Sequence, residues 1–166
     1  VVLAPGNYGE DFATNVLGIP PHRIVNMSNF VGHVLKEVQR IGFTRVLMVG
    51  HMGKFVKVAG GIFSTHSKDS DARMEIIMAN LALLGAPVEL LEKVDQCITT
   101  DAAGTLIEEY HYEEVYQVLV DKMKFRSERL LRNRKPEVSI DVVTFGTEVG
   151  YLASTQTLEE IAEEWT

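Results

Sequence analysis

Val138 to Phe145 is an almost unbroken run of apolar, largely β-branched residues. A strand of that composition has to be covered on both faces, which means a sheet sandwiched between helices. Thr44 to Val49 is a second strong strand, and Val1 to Ala4 and Arg23 to Met27 are shorter ones. Between them lie stretches with helical periodicity, so the first two thirds of the chain read as βαβ units. The expected architecture is one three-layer α/β domain over residues 1–166, a mostly parallel, Rossmann-like sheet with helices on both faces.

The punctuation fixes the approximate boundaries. Pro5-Gly6-Asn7-Tyr8-Gly9 reads as a loop leading into a helix over Glu10 to Leu17, which Gly18-Ile19-Pro20-Pro21 ends. Ser28 or Asn29 is expected to cap a helix with its apolar stripe at Phe30, Val34, Val38 and Ile41, and Gly42 to stop it. Gly50 to Gly61 reads as a glycine-rich crossover with a short helix near Phe55 to Val58. Ser67 or Asp69 is expected to cap a long helix reaching about Leu84. Residues 87–133 read as wholly helical, in three segments starting near Pro87, Thr100 and His111. Thr157-Leu158-Glu159-Glu160 matches a capping box for a last short helix.

The net charge of −7 argues against a nucleic-acid partner, which would call for a basic excess. The distribution of charge is more telling than the sum. No Asp or Glu occurs from Val38 to Lys68, while Arg40, Arg45, Lys54, Lys57 and Lys68 do, with His51 and His66. A locally basic stretch in an acidic chain suits a small anionic ligand. The single cysteine, Cys97, excludes an internal disulfide and is expected to be a small buried apolar residue. No apolar run approaches the roughly 20 residues of a membrane span. With no basic leader before Val1-Val2-Leu3-Ala4, a cytoplasmic location is expected; the lack of an initiator Met suggests part of a longer protein.

Ligands of such sheets bind beyond the carboxyl ends of the strands. Three glycine-bearing loops fall there: Gly6 to Phe12, Gly50 to Lys54, and Gly60 to Ser67. In the first, Glu10 or Asp11 can accept hydrogen bonds from a ribose, or can simply be acids favoured by the helix dipole. Gly50-His51-Met52-Gly53-Lys54 is not a phosphate loop, because Met48 and Phe55 stand where Gly and Ser or Thr are required. It retains a lysine and backbone donors suited to a carboxylate, although a solvated Lys54 is the ordinary alternative. Arg73 is a cation in the first turn of a helix, a conflict with the dipole that an anionic ligand or a carboxylate partner would relieve. No pair of histidines has metal-ligand spacing, and no metal site is expected.

Several motifs are more specific. Gly6-Asn7-Tyr8-Gly9-Glu10-Asp11-Phe12, Asn29-Phe30-Val31-Gly32-His33, Gly50-His51 with Gly53-Lys54, Lys57-Val58-Ala59-Gly60-Gly61, Thr65-His66-Ser67, Asp71-Ala72-Arg73-Met74-Glu75 and Thr99-Thr100-Asp101-Ala102-Ala103 closely resemble the CbiD family. The resemblance covers nearly the whole chain and implies a carbon methylation in anaerobic cobalamin biosynthesis. In that reaction a methyl group passes from S-adenosylmethionine to carbon 1 of the tetrapyrrole cobalt-precorrin-5B, giving cobalt-precorrin-6A, with cobalt present only as part of the substrate. It also implies an amino-terminal domain, so the chain is expected to be the carboxy-terminal portion. The implied sites are Gly6, Asn7, Gly9, Glu10 and Asp11 for the donor, and Lys54, Lys57, Ser67 and Arg73 for the substrate's carboxylates. His51 or His66 would handle a proton; independently, the third strand's end near Val49 and the short excursion to Gly61 place the two histidines together at the carboxyl rim of the sheet. Asn26-Met27-Ser28-Asn29 departs from the common methyltransferase pattern, which has an acid at the end of the second strand. A non-catalytic nucleotide- or corrinoid-binding domain is the alternative.

Overall fold

Every residue from Val46 to Gly50 in strand β3 (Arg45–His51) is buried, as is every residue from Ile140 to Gly146 in β4 (Ser139–Gly146). A computed structural model describes all 166 residues and shows why: these are the inner strands of a five-stranded sheet. With β1 (Val2–Ala4), β2 (Ile24–Asn26) and β5 (Gly150–Ser154), the order is β2-β1-β3-β4-β5. The first four strands are parallel, with Val2 beside Leu47 and Val49 beside Val143. Strand β5 returns antiparallel on β4, a hairpin that sequence reading does not anticipate.

Alternate side chains of the strands feed two cores, as the period of two requires. Val2, Leu47, Val49, Val143 and Phe145 pack under α1 (Gly6–Asn15) and α8 (Leu158–Trp165), where Phe12 stacks on Phe145 with ring centroids 4.2 Å apart. Leu3, Val46, Met48, Ile140 and Val142 face the larger core beneath α2 (Val31–Ile41), α3 (Met52–Ala59) and α7 (Val115–Leu131). The expected three-layer α/β arrangement is therefore observed. Helices α4 (Arg73–Leu83), α5 (Val88–Asp95) and α6 (Thr100–Glu109) pack on α3, α7 and one another.

Five local expectations change. The Pro5 to Gly9 segment is not a loop: the helix begins at Gly6, directly after Pro5, which stands extended at the N-cap. In α2 the buried stripe is Val31, Leu35 and Val38, while Phe30 is 61% and Ile41 64% exposed. Neither Ser28 nor Asn29 caps that helix. Nor do Ser67 and Asp69 cap α4, which starts at Arg73 after Ala72. His111 lies in a turn with φ +63°, and the third helix of that region begins at Val115. The capping box is observed: Thr157 Oγ1 accepts from Glu160 N, and Glu160 Oε2 accepts from Thr157 N. No helix is long and apolar enough to cross a membrane.

Candidate functional site

From β1 the chain connects outward to β2 on one side, and the sheet continues through β3 on the other, so the strand order reverses at the β1/β3 pair. At such a switch point the loops diverge and leave a crevice beyond the carboxyl ends of the strands. Helix α3 opens here directly after β3, and its first turn carries free N–H groups. His51 caps it: Nδ1 accepts the Gly53 N–H at 2.9 Å.

A cavity of about 410 Å³ lies on one side of that helix start, lined by Asn29, Gly53, Lys54, Lys57, Thr65, His66, Ser67 and Arg73, with no apolar side chain among them. All four residues expected to grip carboxylates, with His66, thus come together in one place. Their states differ. Lys57 is only 2% exposed, and its Nζ donates to the carbonyls of Thr65 (3.0 Å) and Ser70 (2.7 Å), clamping the 65–70 loop to α3. Burial pushes its ammonium below the usual lysine range, and Asp71 opposes that push. No carboxylate lies within ion-pair distance, so one N–H of this ammonium has no protein acceptor.

Arg73 has found the carboxylate partner its helix position calls for. Its Nε donates to Asp71 Oδ1 at 2.9 Å and Nη2 to the Ile98 carbonyl at 2.9 Å. The pair holds the Asp71 carboxyl below its usual range. Lys54, in the first turn of α3, has no such partner, and its Nζ would stand 3.9 Å from a Cβ built on Gly6. His66 Nδ1 accepts the Lys68 N–H at 3.1 Å, which puts the proton of the neutral ring on an unpartnered Nε2. The loop is further pinned by Asn29, which accepts from both the N–H and the hydroxyl of Thr65.

The segment Gly6 to Asp11 is placed differently from its expected role. The Gly6 N–H is taken by Asn26 Oδ1, which also accepts from Ser28 N. Gly9 is buried, and a Cβ there would meet Val49 O at 2.8 Å and Ala4 Cβ at 3.0 Å. Its lack of a side chain lets α1 pack on the strand rather than admit a ligand. Asn7 and Asp11 are exposed and Glu10 is half-buried; neither cavity described here is lined by these residues.

His51 and His66 also serve different surroundings. His66 lines the basic cavity and His51 does not. With Nδ1 held by Gly53, the His51 Nε2–H faces Thr147 Oγ1 at 3.0 Å, and that hydroxyl donates to Asp101 Oδ2 at 2.7 Å. Thr147 N also donates to Asp101 Oδ1 at 3.1 Å. Burial lowers the His51 pKa, against the pull of Asp101. Both ring nitrogens are engaged, which makes His51 a fixed part of the frame with no nitrogen free to exchange a proton with a ligand.

A second, larger cavity of about 610 Å³ lies on the other side of α3's start, beyond the end of β4. Its acids are Asp101 and Glu108 of α6, Glu113 before α7, and Glu148 in the β4–β5 turn, and no Lys, Arg or His lines it. Tyr116 lies among them, 9% exposed, its hydroxyl without a hydrogen-bond partner; burial, then Asp101 and Glu113, push that phenol up to about 12. The two cavities meet where a Cβ on Gly53 would stand 3.3 Å from Thr100 Oγ1. Sequence reading singled out Thr100-Asp101 without a role, and the other acids are scattered singly along the chain.

Comparison with known proteins bears out the family resemblance of the motifs. A family model described as "CbiD, C-terminal domain" matches residues 64–156. A protein of Listeria welshimeri named cobalt-precorrin-5B C(1)-methyltransferase is 59% identical over 99% of this chain and 44% of its own length. Proteins with the same name from Clostridioides difficile and Citrobacter koseri are 42% and 44% identical, over 98% and 99% of this chain. The chain spans less than half the length of each of these relatives, 40% and 43% for the last two. No solved structure matches. The family match over more than half of the chain, with this identity to the named relatives along nearly all of it, establishes that the chain belongs to the CbiD family.

Proposed function

We propose that this chain forms part of an S-adenosylmethionine-dependent methyltransferase acting on carbon 1 of cobalt-precorrin-5B in cobalamin biosynthesis. The observation that carries the reading is the all-polar basic cavity at the switch point, with its free Lys54 ammonium and the spare donors of Lys57, His66 and Arg73. A tetrapyrrole bearing several carboxylates presents the complementary charge, and arginine can grip a carboxylate bidentately where lysine acts as a point charge. The relatives' printed name supplies the reaction.

When bound, S-adenosylmethionine supplies an electrophilic methyl group on a sulfonium. The chain's contribution is alignment and exclusion of water, since an in-line displacement at that carbon needs no covalent nucleophile from the protein. Lys54 and Arg73 hold substrate carboxylates, Ser67 adds a hydroxyl donor, and Lys57 keeps the loop that carries His66 closed over α3. The His66 Nε2–H is the group positioned to hold or release a proton at a bound ligand.

Calorimetric titration with the corrinoid substrate and with S-adenosylhomocysteine, followed by methyl-transfer turnover in the full-length protein, tests this. Saturable binding of both and methylation at one ring carbon are expected. Binding of the corrinoid without turnover in the full-length protein would favour a carrier or binding role, and no binding of either would end the proposal.

A further inference from the structure

We infer that the acid-lined cavity holds the cationic end of the methyl donor, with Glu108, Glu113 and Glu148 facing its charge and the Tyr116 hydroxyl binding it. The inference rests on the methyltransferase reading above. S-adenosylmethionine carries a sulfonium and an ammonium against a single carboxylate and so is a net cation, whereas the proposed acceptor is a polycarboxylate. Donor and acceptor therefore need neighbouring sites of opposite sign, and the carboxyl edge of the sheet has that pair, back to back across Gly53 and Thr100.

The cavity has features that a solvated acidic surface lacks. Tyr116 is buried, yet its hydroxyl lines the cavity with no protein partner, beside Gly104, where a Cβ would stand 3.0 Å away. The ring is buried while the hydroxyl opens on the cavity without a protein partner, so it is available to a ligand or water. The acids are too far apart for a metal: no three His, Cys, Asp or Glu side chains form a group able to hold one. The cavity's volume, about 610 Å³, is within the usual range of small-molecule sites, about 300–1,000 Å³. Met52, Val149 and Leu152 provide apolar surface for a nucleoside in the same cavity. Glu108, Glu113 and Glu148 form no ion pair or hydrogen bond through their side chains, so their charge is available to a ligand. This location also moves the donor away from Gly6 to Asp11, where Gly9 is closed by packing.

The test compares S-adenosylmethionine with S-adenosylhomocysteine, which keeps the ammonium but has a neutral thioether. Calorimetric Kd values are measured for the wild type, for the Glu108→Gln/Glu113→Gln/Glu148→Gln variant and for Tyr116→Phe, with thermal melts confirming that each is folded. The triple variant is expected to bind S-adenosylmethionine about tenfold or more weaker, the scale of a charge-assisted contact. Its loss for S-adenosylhomocysteine should be about threefold or less, because the sulfonium charge is missing. Tyr116→Phe should weaken both ligands, and any of the variants that melts early is replaced by its single substitutions. Unchanged S-adenosylmethionine affinity in either variant, or equal losses for both ligands in the triple variant, overturns the inference and leaves the methyltransferase reading standing. A wild type that binds neither ligand overturns the reading itself and the inference with it.

Discussion

Gly53 donates its backbone N–H to Nδ1 of His51 at 2.9 Å, so the imidazole caps α3 only while that nitrogen is unprotonated. Burial lowers the His51 pKa from its ordinary 6.5. The folded state thus binds this proton less readily than the unfolded chain. Its contribution to stability is complete above about pH 6.5 and is lost as pH falls through the lower, folded value. His51→Asn keeps a capping side chain and removes the titration. Unfolding free energies measured from pH 8 to 5 should show a shallower acid-side decline in His51→Asn than in the wild type. Parallel profiles for the two proteins would remove the cap from the account of acid sensitivity.

Lys54 and Lys57 are three residues apart and should behave oppositely. Lys54 has no protein partner, so Lys54→Ala should shift stability by no more than about 0.5 kcal/mol. It should weaken binding of the polycarboxylate substrate by about 1.5–3 kcal/mol, the scale of a charged hydrogen bond. Lys57→Met instead strands the carbonyls of Thr65 and Ser70, at about 1–3 kcal/mol for each buried group left unpaired. Melting curves and titrations on both variants separate the roles. A stable Lys57→Met with ordinary protection of the 65–70 amides from hydrogen exchange would contradict the clamp.

Gly9 has a packing role. A Cβ at 2.8 Å from Val49 O and 3.0 Å from Ala4 Cβ forces α1 away from the sheet. Gly9→Ala should destabilise the fold by about 1–3 kcal/mol, the range for overpacking a tight site. Denaturant midpoints report this, and Gly9→Val should be worse. A Gly9→Ala protein with wild-type stability and lost donor affinity would restore the ligand-approach role to this glycine.

Thr157→Ala removes one half of the capping box on α8, whose Ile161 and Trp165 close the smaller core. The expected cost is about 0.5–2 kcal/mol. Amide exchange should rise first in Thr157 to Ile161. Uniform exchange across α8 and the strands would mean that the cap is not a local determinant.

The parts of this fold legible in the sequence are those dictated by nearest neighbours along the chain. Thr44 to Val49 and Val138 to Phe145 can only be inner strands, and Thr157 with Glu160 can only start a helix. The basic cavity was half-visible because Lys54, Lys57, His66 and Ser67 fall within one stretch free of acids, and Arg73 stands out against the dipole of its helix. The sequence leaves the buried face of α2 open because a period of 3.6 fits Phe30, Val34, Val38 and Ile41 nearly as well as Val31, Leu35 and Val38. Only the position of the sheet chooses between the two stripes. The acid cavity is hidden for a different reason: Asp101, Glu113 and Glu148 come from separate elements, and the β4–β5 hairpin that brings Glu148 in is marked in the sequence only by Gly146 and Gly150.

The thin partition at Gly53 and Thr100 has an energetic corollary. Two pockets of opposite sign meet at that wall, and salt screens charges over about 8–10 Å at moderate ionic strength. A cation lodged on one side partly cancels the negative field that would otherwise repel an anion from the other. By linkage each occupant then raises the affinity of its neighbour by the same factor, without any movement of the chain. Such mutual reinforcement fades as salt is added, so the coupling between the two ligands should be strongest in dilute buffer.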